Sequence, residues 1–155
     1  MSFIYKKRMA IYTLLAIFFL IFDRLFKIMA IKGWLEAPVS LLGKMFRLKF
    51  IPNYNIAFSI PFRGAWLIIL ILAIILLLFY YLFYYLRKKD YESFGVIFTV
   101  LLGAVSNLFD RVKYGYVIDY LDLKYFTVFN LADVMIVASV FIFYFIYIKN
   151  KKAQP

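Results

Sequence analysis

The chain has 155 residues, of which 66% are hydrophobic and 23% aromatic, and its mean hydropathy is +0.88. Soluble domains are roughly half apolar, so this composition predicts an integral membrane protein of one domain. Cysteine and histidine are absent, which excludes disulfides, thiol nucleophiles, Cys/His metal sites and Ser-His-Asp triads. An enzyme of this composition must use carboxylates, a Ser/Lys pair or a bound cofactor.

The formal charge of +11 is spread over loops and membrane flanks. No basic cluster alternates with exposed aromatic residues as in a soluble nucleic-acid-binding fold, so nucleic acid is not an expected partner. Basic residues at the flanks of apolar segments are typical of membrane orientation and of contact with anionic lipids. Membrane lipids are therefore the expected surroundings.

Four apolar segments predict four transmembrane helices, at about 9–31, 64–86, 91–109 and 131–148. The first follows Lys6, Lys7 and Arg8 like the start of a signal peptide, but no small-residue cleavage site follows it. Its length of about 34 Å is enough to span. Within it Asp23 and Lys27 are four residues apart, so they share a helix face and can form a local ion pair.

A polar interlude, 32–63, separates the first two spans and is interrupted by glycine and proline. Inside it the run Phe46–Phe50 alternates apolar and basic side chains, which is the period of a β-strand. We expect this strand to lie on the membrane surface, with Arg47 and Lys49 toward headgroups or water.

The basic residues also predict the orientation. Three tight clusters abut helix ends on the side of the termini: Lys6, Lys7 and Arg8; Arg87, Lys88 and Lys89; Lys149, Lys151 and Lys152. Basic residues on the other side are nearly as numerous, but several lie in the middle of long loops, where the orienting bias is weaker. Both termini are therefore expected in the cytoplasm.

Four of the eight acidic residues lie in one window that ends at the fourth span: Asp110, Asp119, Asp122 and Asp133. Asp133 falls in the first turn of that span, and Asp119 lies in the loop that returns to it, so the two carboxyl groups can meet. Two carboxyl groups a few ångström apart share a proton, which provides a base and an acid together. Such a pair can activate water and protonate the oxygen or nitrogen of an amide.

Other readings of these residues remain open. Asp119 or Asp133 can instead pair with Arg111 or cap a helix. Asp110 and Asp122, beside Arg111 and Lys124, are expected to be surface charges. Asn53, Asn107 and Asn130 are each turn or cap candidates that could also orient the acid pair or hold substrate. Ser59 with Lys27 or Lys49 is a conceivable nucleophile pair without motif support.

Five motifs in order resemble those of the bacterial lipoprotein signal peptidases, also called signal peptidase II. Asp23 with Lys27 resembles that family's Asp-x-x-x-Lys, and residues 53–58 resemble its Asn-x-Gly-Ala-Ala-Phe. Residues 103–111 resemble Gly-Ala-x-Gly-Asn-x-x-Asp-Arg, and they are followed by Val117-Ile118-Asp119-Tyr120 and Phe129-Asn130-Leu131-Ala132-Asp133. The spacing matches over nearly the whole chain.

The resemblance implies a multi-pass aspartic endopeptidase of the bacterial cytoplasmic membrane, with its active site near the outer face. Such an enzyme removes signal peptides from prolipoproteins by cleaving before the diacylglyceryl-modified cysteine. Asp119 and Asp133 match the catalytic pair, and the supporting or substrate-binding positions match Asn53, Asn107, Arg111, Asn130, Asp23 and Lys27. The interlude matches an extracytoplasmic β element that cradles the lipid-modified substrate. No metal or cofactor is expected, and the enzyme is expected to act as a monomer.

Three positions depart from the family pattern: Asn55 and Ser106 replace glycines, and Ile56 replaces a frequent alanine. Asn55 could keep the turn because asparagine tolerates a left-handed backbone, and Ser106 is small enough to keep helices close. None of the three replaces an acid, so they bear on substrate fit more than on chemistry.

Two rival functions come from other classes. A small transporter or channel subunit could use intramembrane Asp and Arg111 as an ion path, but it would distribute its acids through the depth of the bilayer. A membrane scaffold without catalysis would leave the acid cluster unexplained.

Overall fold

The computed structural model describes residues 2–55 and 64–152, and it describes side chains from Lys7 onward within those ranges, up to Lys151. These ranges contain four helices and four strands, in the order helix, two strands, two helices, two strands and helix. The helices are α1 (Ser2–Ile31), α2 (Ala65–Arg87), α3 (Tyr91–Tyr114) and α4 (Leu131–Lys152); the strands are β1 (Val39–Leu42), β2 (Phe46–Asn53), β3 (Val117–Leu123) and β4 (Val128–Phe129).

Three of the helices, α2, α3 and α4, are long and apolar enough to cross a membrane. They carry the second, third and fourth predicted spans, although α3 continues to Tyr114, beyond the predicted end at 109. Large apolar side chains face outward along α2 and α4, for example Trp66, Leu76, Phe141 and Phe145. Burying these side chains requires lipid, and the chain is accordingly a multi-pass membrane protein.

Helix α3 is the central helix, because it packs against α1, α2 and α4. Its start is capped by Asp90, whose carboxylate accepts hydrogen bonds from the backbone N–H of Ser93 at 3.1 Å and from its hydroxyl at 2.7 Å. Its end at Tyr114 is capped by Gly115, which has a φ of 81°. Gly103 lets α3 approach α4 closely, since a Cβ there would lie 2.7 Å from the carbonyl oxygen of Ala132.

The four strands form one antiparallel sheet in the order β1-β2-β3-β4. The predicted strand at 46–50 is therefore part of a larger sheet, and it continues to Asn53. The register of β2 on β3 shifts between Leu48 and Ile51, and Ile51 pairs with Asp119. Irregular pairing of this kind often occurs where a strand turns a side chain toward a site.

The sheet is anchored on the carboxyl end of α1 by a small apolar core. Its buried members are Ala30, Leu35, Leu48, Ile118 and Tyr120. Phe26 of α1 stacks on Tyr120 with ring centroids 5.3 Å apart. This packing brings β3, the end of α1 and the start of α4 to one end of the helix bundle.

Candidate active site

Asp119 lies in strand β3, not in a loop as the sequence suggested. The side chains of β3 are buried on both faces, so the strand lacks the apolar–polar alternation that would have revealed it. Only 1% of Asp119 is exposed. Its Oδ2 accepts a hydrogen bond from Asn53 Nδ2 at 2.9 Å, and its Oδ1 accepts one from Asn130 Nδ2 at 2.7 Å.

Asp133 lies in the first turn of α4 and also caps that helix. Its Oδ2 accepts from the backbone N–H of Asn130 at 3.2 Å, while Asn130 Oδ1 accepts from the backbone N–H of Asp133 at 2.9 Å. This reciprocal pair is a capping box. The remaining oxygen, Oδ1, accepts from Asn107 Nδ2 at 2.8 Å. Capping and membership of the acid pair, which the sequence presented as alternatives, therefore coexist in Asp133.

Asn130 joins the two carboxyl groups. Its side-chain amide nitrogen binds Asp119, and its backbone N–H binds Asp133. Among the described residues, neither carboxyl group has a lysine or arginine nitrogen within ion-pair distance. The pair is thus surrounded by amides, and its charge is not neutralised by a direct cation.

This environment changes the acidity of Asp119. Burial, and next the charge of Asp133, raise the pKa of Asp119 to about 7, although the hydrogen bonds from Asn53 and Asn130 act in the opposite direction. At neutral pH such a carboxyl group can hold a proton and release it. That property is required of a general acid.

A second polar cluster lies next to the pair and is built from α1 and α3. The predicted ion pair between Asp23 and Lys27 forms, with 3.0 Å between Oδ2 and Nζ. Lys27 also binds Asp110 Oδ2 at 2.8 Å, and Arg24 binds Asp110 Oδ1 at 2.6 Å. Lys27 further donates to Asn107 Oδ1 at 2.9 Å, which connects this cluster to the acid pair.

The expectation that Asp110 and Asp122 are surface charges is wrong. Asp110 is fully buried in α3, and Asp122 is only 9% exposed in β3, where its Oδ2 binds Arg47 at 2.6 Å. Arg47, expected to point toward headgroups or water, is thus engaged with the sheet. The sequence placed these acids beside basic neighbours in the chain, but their partners come from other elements.

Arg111 lies beside the pair without an ion pair to it. It donates to backbone carbonyl oxygens, to that of Asn55 at 3.0 Å and to that of Asn107 at 3.4 Å. Asn55 does not take the expected left-handed conformation, since the described non-glycine residues with positive φ are Lys89 and Tyr125. Instead its N–H donates to Asn53 Oδ1 at 3.0 Å. Ile56, Phe58 and Ser59 lie outside the described residues.

The structure thus brings the site residues predicted from the sequence to one end of the bundle: Asp119, Asp133, Asn53, Asn107, Arg111, Asn130, Asp23 and Lys27. Sequence reasoning missed Arg24 and Tyr120 and took Ser106 for a small spacer only. Ser106 Oγ donates to Asp23 Oδ2 at 2.6 Å and accepts from Lys27 Nζ at 3.3 Å. Within the described ranges, no group of three or more acidic residues is arranged to hold a metal ion.

Comparison with known proteins identifies the family. The family model for Signal peptidase (SPase) II matches residues 15–149. The lipoprotein signal peptidase of Caldicellulosiruptor bescii is 36% identical over 141 residues, which cover 90% of this chain and 92% of that protein. The lipoprotein signal peptidase of Clostridioides difficile is 31% identical over 148 residues, with coverage of 93% and 99%.

The fold also resembles solved structures. A protein described as a bacterial membrane enzyme superposes with a TM-score of 0.77 at 20% identity, covering 94% of this chain and 92% of that one. A second, described in the same words, superposes with a TM-score of 0.69 at 22% identity. The family model and the relatives together establish that the chain belongs to the signal peptidase II family of proteases.

Proposed function

We propose that this protein is an aspartic endopeptidase that removes signal peptides from prolipoproteins by cleaving before the diacylglyceryl-modified cysteine. The observation that carries the proposal is the buried pair Asp119 and Asp133, joined by Asn130 and without a direct cation. The substrate class is supported by the relatives, which are lipoprotein signal peptidases.

In this mechanism Asp119 is the acid and Asp133 is the base. Asp119 holds a proton near neutral pH because burial and the neighbouring charge raise its pKa to about 7. Asp133 lies in the first turn of α4, where the helix dipole favours a carboxylate, and it accepts hydrogen bonds from Asn107 and from the backbone of Asn130. Water bound between the two groups gives a proton to Asp133 and attacks the scissile carbonyl carbon, while Asp119 protonates the carbonyl oxygen. Asp133 then passes its proton to the leaving nitrogen as the C–N bond breaks, and Asp119 takes back a proton from one hydroxyl of the diol, which leaves a carboxylic acid product and restores the pair.

We further propose that α1 is a fourth membrane span. Arg8 near its start binds Glu92 at the start of α3, and Lys27 near its end binds Asp110 near the end of α3. The segment from Arg8 to Lys27 is about 28 Å long at 1.5 Å per residue, so α1 matches the depth of a helix that can span. Leu14, Phe18 and Ile21 are exposed on α1 and require lipid.

The same contacts support the predicted topology. Arg8, Lys89 and Lys149 line one cavity at the end of the bundle opposite the acid pair. The start of α1, the α2–α3 turn and the end of α4 therefore share one side, which we assign to the cytoplasm because basic flanks favour it. The acid pair and the sheet then lie at the outer face, where the sheet would cradle the lipid-modified substrate. We further propose that residues 1–155 form a single domain and that the protein acts as a monomer.

The transporter alternative is not favoured. An ion path needs ionisable groups through the depth of the bilayer. The buried acids Asp23, Asp110, Asp119 and Asp133 are instead connected at one end of the bundle through Lys27, Asn107 and Asn130.

The test is cleavage of a purified diacylglyceryl-modified precursor by Asp119→Asn and Asp133→Asn variants in detergent. Each amide removes an acid or base function, so each variant should lose at least about 1,000-fold in kcat, the range of large losses on removing catalytic groups, while remaining folded by size exclusion. Glu92→Gln makes the same change at the opposite end of the bundle and should cleave at the wild-type rate. Retained cleavage by either Asp variant would refute the assignment. The same precursor without its diacylglyceryl group should not be cleaved.

A further inference from the structure

The start of α4 makes an unusual set of hydrogen bonds. The first four backbone N–H groups of a helix have no partner within the helix. Here each one donates to a side-chain oxygen: Asn130 to Asp133 Oδ2, Leu131 to Tyr120 Oη, Ala132 to Asp23 Oδ1 and Asp133 to Asn130 Oδ1. Two of these acceptors belong to the helix start itself, whereas Tyr120 and Asp23 come from β3 and α1.

Tyr120 directly follows Asp119 in β3. Neighbouring side chains of a strand point to opposite faces, so Asp119 faces the amides while Tyr120 faces α1. Tyr120 is fully buried and stacks on Phe26. Its hydroxyl donates to Asp23 Oδ1 at 3.1 Å and accepts from the backbone N–H of Leu131 at 3.2 Å.

Asp23 completes the connection. Its Oδ1 accepts from Tyr120 and from the backbone N–H of Ala132 at 3.3 Å, while its Oδ2 is held by Lys27 and Ser106. The strand that carries Asp119 is therefore tied to the helix that carries Asp133. The tie runs from Tyr120, one residue after Asp119, to the backbone N–H groups of Leu131 and Ala132, two and one residues before Asp133. Asn130 is the other tie between the two elements, and it binds the carboxyl groups themselves.

We propose that Tyr120 is a positioning residue whose hydroxyl, together with Asp23, fixes the start of α4 against β3 and so sets the separation of Asp119 and Asp133. This inference rests on the proposed function. A phenylalanine at this position would keep the ring and its packing on Phe26. It would leave the N–H of Leu131 without its acceptor and Asp23 without one donor, so the helix start would be held by fewer contacts.

The chemistry of the phenol suits this role. Burial, and next the charge of Asp23, raise the pKa of Tyr120, so the hydroxyl stays protonated and donates to Asp23 at all pH values used for an assay. Tyr120 therefore does not titrate with the enzyme. A change in pH dependence on its mutation therefore comes from other groups, and of these the acid pair takes part in the reaction.

The experiment compares Tyr120→Phe with the wild type on the diacylglyceryl-modified precursor, with rates expressed per folded enzyme. Loss of a hydrogen bond to a charged group predicts a decrease in kcat of about tenfold, with KM changed less than about twofold. The basic limb of the pH–rate profile should also move to lower pH. If the carboxyl groups of Asp119 and Asp133 lie farther apart, they repel each other less when both are charged, and the higher of the two apparent pKa values of the pair falls. The charged groups that face Asp119 are Asp133, Lys27 and Arg111, and the mutation removes none of them.

Tyr80→Phe is the matched control, since it makes the same change on the exposed surface of α2 and should match the wild type. Ser106→Gly removes the hydrogen bond from Ser106 to Asp23 Oδ2, but that oxygen remains bound to Lys27. This variant should therefore lower kcat by less than Tyr120→Phe does. Wild-type kcat in Tyr120→Phe would overturn the inference, as would a lower rate with an unshifted basic limb. If Asp119→Asn and Asp133→Asn are inactive in the same assay, either result counts against Tyr120 and leaves the proposed function intact.

Discussion

Two pairs of buried carboxyl groups lie side by side in this protein, and the two pairs differ in the side chains that bind them. Asp23 and Asp110 are bound by Lys27 and Arg24, so their charges are neutralised. Asp119 and Asp133 are bound by the amides of Asn53, Asn107 and Asn130. A buried acid with a cation is stabilised in its charged form, whereas a buried acid held by amides near a like charge keeps a proton available. Burial alone therefore does not identify a reactive carboxyl group; its partners do.

The largest effect is expected from Lys27→Met, which should lower the stability of the protein. Removing the lysine leaves Asp23 and Asp110 buried with one cation fewer, and breaking a buried pair in this way costs about 3–5 kcal/mol. Thermal unfolding in detergent measures the loss. Asp110→Asn added to Lys27→Met should recover part of it, because one uncompensated charge is removed.

Arg47→Met is the matched control for that experiment. Arg47 also binds a carboxylate, Asp122, but its side chain is 39% exposed. Loss of such a pair should cost less than about 1 kcal/mol. If Lys27→Met proves as stable as Arg47→Met, burial of Asp23 and Asp110 does not depend on their cations. The contrast between the two pairs of carboxyl groups would then be wrong.

An intermediate effect is expected from Asn107→Ala, because Asn107 connects the two pairs. Its Oδ1 accepts from Lys27 at 2.9 Å, which directs its Nδ2 to Asp133 at 2.8 Å. Loss of a hydrogen bond to a charged group is worth about 1.5–3 kcal/mol, so kcat should decrease roughly 10- to 100-fold. Single-turnover cleavage of the modified precursor measures this step; a rate within threefold of the wild type would mean that Asp133 does not depend on the amide.

The smallest effect is a shift in pH dependence in Asn53→Ala. The pKa of Asp119 is raised to about 7 by burial and by Asp133, and the hydrogen bond from Asn53 lowers it. Without that bond the pKa rises further, so Asp119 keeps its proton to higher pH and the basic limb of the kcat/KM profile moves upward. Asn150→Ala, at the other end of α4, should leave the limb unchanged. A downward shift in Asn53→Ala would contradict the assignment of Asp119 as the acid.

Local sequence predicts those features that depend on neighbours in the chain. Long apolar runs indicate α2, α3 and α4, the four-residue spacing of Asp23 and Lys27 predicts their ion pair, and the three-residue spacing of Asn130 and Asp133 suits a capping box. The proximity of Asp119 and Asp133 also follows from the short connection between them. The family resemblance adds the roles of the residues, which spacing alone left open.

Features that depend on distant elements were not predictable in this way. Asp110 is fully buried and is bound by Arg24, 86 residues earlier, and nothing in the sequence around Asp110 reports that contact. Strand β3 reads as a loop because both of its faces are buried and its apolar pattern does not alternate. The role of Tyr120 has no sequence signal either, since an aromatic residue in a strand is typical of any core.

The capping of α4 has a consequence for inhibition. Helix starts commonly stabilise anions, because their free N–H groups and the helix dipole favour negative charge. Here all four N–H groups at the start of α4 are already bound to side chains. The start of this helix therefore offers no oxyanion hole, and in the proposed mechanism the proton of Asp119 keeps the tetrahedral intermediate neutral. A mimic of that intermediate should accordingly bind better with an uncharged hydroxyl at the tetrahedral carbon than with a phosphonate.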